Sequence, residues 1–108
     1  MKYIFVILSI IVLTYIADSQ EIKSTIEIKT SAICEHCKEN IEKALNKVAG
    51  VEKSNLDLDT KVATVKYDST RTNVDELRNA ISKAGYNADD VKRDGRAYKR
   101  LPKCCKAD

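Results

Sequence analysis

The sequence predicts an α+β domain of the ferredoxin-like type, ordered β-α-β-β-α-β. It should have a four-stranded antiparallel sheet with two helices on one face. Three observations carry this. Residues 23–30, 52–59 and 62–67 alternate polar and apolar side chains as half-buried strands do. Residues 35–48 and the stretch after Asn73 repeat apolar residues at helical spacing. Two helices with one apolar stripe each can cover only one side of a sheet.

In the first strand, Ser24, Ile26 and Ile28 share a face. The first helix sets Cys37, Ile41, Ala44, Leu45 and Val48 on one stripe, with Lys38, Glu39, Glu42, Lys43 and Lys47 toward solvent and Gly50 as its stop. Ser54, Leu56 and Leu58 point inward from the second strand. The polar turn Asp59-Thr60-Lys61 leads into Ala63, Val65 and Tyr67 of the third, which makes a hairpin. Asn73 with Glu76 three residues on reads as an N-cap and its capping-box partner. Val74, Leu77, Ile81 and Ala84 form the second apolar stripe, and Gly85 fits the C′ position. Residues 86–91 are read as a weak polar strand at a sheet edge, followed beyond Asp94-Gly95 by a solvated basic tail.

The N-terminus reads as something other than this domain. A short basic start with Lys2, an apolar run over 4–13 broken only by Ser9, and small residues Ala17 and Ser19 ahead of Gln20 have the pattern of a secretory signal. The run is shorter than the roughly 20 apolar residues a membrane span needs. The expected division is a signal peptide at 1–19, a domain at 20–95 and a cysteine-containing tail at 96–108. An exported protein, periplasmic or secreted, is expected; the alternative is an anchor helix left uncleaved.

The chain has 108 residues and a formal charge of +3. Charges of both signs are mixed, and no basic block is interleaved with aromatics, so nucleic acid is not an expected partner. The four cysteines form two local clusters, Cys34-Glu35-His36-Cys37 and Cys104-Cys105. A disulfide framework would spread them through the loops, so clustering points to metal or redox chemistry. The first pair lies where the first strand gives way to the first helix. Orphan N–H groups and the helix dipole there favour a thiolate. Two thiolates suit a soft cation that accepts few ligands, whereas zinc usually takes four, and Ile33 rather than an Asp or Glu directly precedes Cys34.

The residues Ser31-Ala32-Ile33-Cys34-Glu35-His36-Cys37, with Ile41, Leu45, Gly50-Val51, the strand at 62–67 and Ala84-Gly85-Tyr86, resemble the heavy-metal-associated domain. That family includes copper chaperones, the N-terminal domains of metal-pumping ATPases and an exported mercury-binding protein. The resemblance spans about residues 26–91. It implies that Cys34 and Cys37 hold the metal, Cu(I) or Hg(II) ahead of Zn(II), and pass it by ligand exchange to a membrane transporter or another CxxC protein. It also places Tyr86 on a loop facing the metal, where it would shield the ion or cap the edge of the core. The family usually has Gly-Met-Thr before the first cysteine; Ser31-Ala32-Ile33 stand there instead, and the smaller Ala32 implies a looser metal loop.

His36, between the two ligands, is a candidate auxiliary ligand, although a loop histidine is more often simply solvated. Cys104 and Cys105 have several readings. They complete a site with more thiolates, accept the metal, or bridge two molecules; against these stands a free or oxidised pair on a disordered tail. A carrier without catalytic turnover is the leading function. The competing class is a thiol–disulfide oxidoreductase using Cys34 and Cys37, but its usual fold needs a longer framework and a proline opposite the pair, and Pro102 lies in the tail. A purely structural disulfide module is the third reading.

Overall fold

A computed structural model describes residues 22–106. The expected signal segment at 1–19 lies outside the described residues. Within them the order is β1 (Lys23–Lys29), α1 (Glu35–Asn46), β2 (Val51–Asp57), β3 (Val62–Asp68), α2 (Val74–Lys83) and α3 (Gly95–Lys99), followed by a 3₁₀ turn at Lys103–Cys105.

The sheet has three antiparallel strands in the order β1-β3-β2. Ile26 faces Val65 and Ile28 faces Ala63 across one ladder; Leu56 faces Ala63 and Ser54 faces Val65 across the other. The pairing alternates faces, so one side of the sheet presents Ile28, Leu56, Ala63, Val65 and Tyr67 to the core, where Ile41, Leu45, Leu77 and Ile81 of the helices bury against them. The other side carries Thr25, Glu27, Asn55, Thr64 and Lys66 in solvent. Glu42 pins α1 to β2, its carboxylate accepting from the Leu56 N–H at 2.9 Å and from Lys38 at 2.7 Å. The hairpin turn closes with Lys61 at φ +63 and its N–H donating to the Asp57 carbonyl.

The fourth strand does not form. Residues 86–91 contribute only single bridges, Thr30 to Ala88 and Ala88 to Val91. The chain doubles back at Asp89, whose φ is +51, and Ala88 and Val91 exchange both backbone hydrogen bonds at 2.9 Å. One reversing turn leaves Ala88 alone opposite β1. Asp89 nevertheless blunts that edge: its N–H donates to the Lys29 carbonyl at 2.7 Å and its carboxylate accepts from the Lys29 N–H at 2.9 Å.

Two helix ends also differ from expectation. The first helix stops at Asn46 rather than running to Val48, and Gly50, at φ +99, turns the chain into β2. Asn73 caps α2 through a 2.9 Å bond from the Glu76 N–H, but the Glu76 carboxylate accepts from Thr72 rather than closing the box. Gly85 occupies the C′ position with φ +104, and the Gly85 and Tyr86 N–H groups donate to Ser82 and Ile81.

The stretch read as a solvated tail is folded. Asp94 donates its N–H to Ser82, and α3 then lies against Gly85. A Cβ built on Gly85 would come within 3.0 Å of Leu101 and 3.1 Å of the Ala97 and Tyr98 backbone. Leu101 packs on the core, and Arg93 stacks over the Tyr98 ring at 3.5 Å. A missing side chain at position 85 therefore lets the C-terminal segment settle on the domain.

Candidate metal centre

The loop from Thr30 to Ile33 is tied down at its base. Thr30 donates both its N–H and its hydroxyl to the Lys61 carbonyl at 2.8 Å, and Ser31 accepts from the Asn87 N–H at 2.9 Å. Ala32 is fully buried, whereas Ile33 is exposed. Cys34 is the extended N-cap residue of α1, with its carbonyl accepting from the Lys38 N–H. Cys37, in the first turn, is fully buried.

The two sulfurs lie 3.1 Å apart. Cys34 Sγ is also 3.2 Å from Cys104 Sγ and 3.3 Å from Cys105 Sγ, and those two are separated by 3.9 Å. The C-terminal segment thus brings the second cysteine pair onto the first. Cys105 is buried and Cys104 is exposed. All four are free thiols.

Tyr86, 1% exposed, closes the inner side. Its hydroxyl accepts from Asn40 at 3.1 Å. Tyr86 is a core residue, packed among the buried side chains of the sheet and helices. Asn40 is a participant that sequence reading missed, although it sits one turn after Cys37 on the same helix. His36 is exposed on the first turn and lies outside the group of converging ligand atoms.

The environment separates these thiols. For Cys34, burial works against the charged form, but contacts from the Cys37 and Cys104 thiols, the Cys37 backbone N–H and the Cys105 thiol prevail, lowering its pKa from 9.0 to about 6. The Cys37 N–H favours the thiolate without completing a capping hydrogen bond. Cys104 is pushed up by its contact with Cys34, and Cys105 is pushed up first by burial and then by Cys37. Burial likewise keeps the Tyr86 phenol protonated, with Cys105 adding to it. Cys34 is thus the sulfur that ionises most readily, its negative charge favoured by hydrogen bonds from its neighbours.

A split βαβ scaffold that gathers cysteines at the opening of its first helix defines a class: small domains that bind soft metal ions through thiolates. The heavy-metal-associated domain model matches residues 27–87, and the chain belongs to that family. The copper chaperone CopZ of Staphylococcus haemolyticus is 39% identical over 54 residues, covering 50% of this chain and 79% of that protein. The copper-exporting P-type ATPase of Staphylococcus saprophyticus is 41% identical over 59 residues, covering 55% of this chain and 7% of the ATPase. Among solved structures, oxidised MerP from Ralstonia metallidurans superposes with a TM-score of 0.60 at 31% identity, covering 62% of this chain and 94% of MerP.

Proposed function

We propose that this protein is an exported carrier or scavenger of a soft cation, Cu(I) or Hg(II), held between Cys34 and Cys37. The observation that carries the reading is the 3.1 Å approach of the two sulfurs at the mouth of α1, one of them a thiolate near neutral pH. An anionic sulfur takes a soft cation without first losing a proton, and the second thiol gives up its own as the bond forms. Transfer follows by exchange. An incoming thiolate bonds to the ion, a three-coordinate intermediate forms, and one original sulfur leaves and takes a proton from solvent. Likeness to a copper chaperone and to a segment of a copper-exporting ATPase supports copper as cargo and a membrane transporter as partner. Two thiols with few competing ligands suit Hg(II) as well as Cu(I). Export rests on the signal pattern over 1–19, and the expected mature chain begins at Gln20.

Anaerobic titration of the reduced full chain with Cu(I), Hg(II) and Zn(II) against a competing chelator tests this reading. Tight binding of the first two, lost in Cys34→Ser/Cys37→Ser, is the expected outcome. Insulin reduction without metal affinity would instead establish the oxidoreductase. N-terminal sequencing of the exported protein checks the cleavage site.

A further inference from the structure

Beyond the Cys34–Cys37 pair, the C-terminal segment carries two thiols for which packing gives no sufficient reason. Cys105 is buried, but Cys104 is exposed, and still its sulfur sits 3.2 Å from Cys34. The segment that delivers them is built for delivery. It leaves α2 through the Asp94–Ser82 bond, rests α3 on Gly85 and packs Leu101 into the core. It is then drawn together by Lys106, which donates to the Lys99 carbonyl at 2.8 Å, and by the Cys105 N–H, which donates to Pro102 at 2.9 Å. The result is a group in which Cys34, Cys104 and Cys105 offer ligand atoms all within 4.8 Å of one another. Cys37 adjoins this group through Cys34.

The spacing bears on coordination number. Metal–thiolate bonds of about 2.3 Å put two sulfurs about 4.6 Å apart across a linear ion and about 3.8 Å apart around a tetrahedral one. Cys104 and Cys105 stand at 3.9 Å, close to the tetrahedral edge. The three distances from Cys34, at 3.1, 3.2 and 3.3 Å, are shorter still and would have to open far less for a compact site than for a linear one. We propose that Cys104 and Cys105 join the Cys34–Cys37 pair as ligands of the same ion, giving a three- or four-thiolate site for a closed-shell thiophilic cation such as Cd(II), Zn(II) or three-coordinate Cu(I). Each sulfur binds as thiolate, and those still protonated release their protons to solvent.

The proposal rests on the reading that Cys34 and Cys37 bind metal, and one experiment separates the two. The reduced full chain is loaded with Cd(II). Metal–sulfur bonds are counted by X-ray absorption, and affinity is measured by competition. Three or four sulfurs are expected in the native chain and two in Cys104→Ser/Cys105→Ser, with affinity falling by about 100-fold or more. Cys104→Ser alone touches no buried position and should remove one sulfur. Unchanged amide exchange at Ile41, Leu45 and Ile81 would confirm that these variants keep the fold. An unchanged sulfur count and affinity in the double variant overturns this inference while leaving the two-cysteine carrier intact. Binding that survives Cys34→Ser/Cys37→Ser overturns the carrier reading instead, and no binding by the native chain overturns both.

Discussion

The body from β1 to Val91 and the C-terminal segment from Asp94 to Lys106 are held by different means. The body rests on repetition: two registered ladders and two apolar stripes, so that Ile28, Ile41, Leu45, Leu56, Val65, Leu77 and Ile81 share one core. The segment rests on single contacts, chiefly Leu101 on the core, Arg93 over Tyr98 and the bare Cα of Gly85. Removing one member of a repeating pattern costs a fraction of a large total. Removing one of a few point contacts can release the whole segment, and with it half of the sulfur cluster.

The contrast breaks most visibly at the core. Leu45→Ala, at a fully buried position, should cost about 2–5 kcal/mol in chemical denaturation and loosen body and segment together. Gly85→Ala combines a left-handed backbone with contacts of 3.0–3.1 Å to the segment, and should cost about 1–3 kcal/mol while speeding alkylation of Cys105. Leu101→Ala, at a half-buried position, should cost about 1 kcal/mol yet produce the same exposure of Cys105, with amide exchange in β3 unchanged. A loss as large as that of Leu45→Ala would show that the segment and the body are one cooperative unit.

Protonation sharpens the comparison further. The folded-state pKa of Cys34 lies near 6 against 9.0 unfolded, so its contribution to stability is complete above pH 9, shrinks as pH falls and is gone below about 6. Cys104 and Cys105 are raised, so theirs is complete below 9.0 and is lost as pH rises. The reduced, metal-free protein should therefore gain stability from pH 6 toward 9 and lose it beyond. Cys34→Ser should flatten the rising limb. Iodoacetamide should modify Cys34 with a midpoint near pH 6; a midpoint near 9 would remove the electrostatic account of the site.

The sequence made the body legible because periodicity repeats its message. Each strand before Asp68 and each helical stripe contains several residues that agree, and Cys34 and Cys37 stand at a junction those patterns locate. The fourth strand failed where pattern thinned: Asp89 takes a left-handed turn that alternation across 86–91 does not register. The folded C-terminal segment was hidden by its charge. Tyr98 and Leu101, three apart among lysines and arginines, are too few to form a stripe, and their partner is a glycine whose contribution is empty space. Cys104 and Cys105 were visible as a pair, but their meeting with Cys34 spans 70 residues of chain, a distance that no local signal bridges.

The four sulfurs differ in how far they stand from solvent. Cys104 is at the surface, Cys34 is half covered, and Cys37 and Cys105 lie beneath. A reagent diffusing in meets Cys104 first, then Cys34, then the interior pair. Access to the four thiols thereby acquires an order, with Cys104 standing as its threshold.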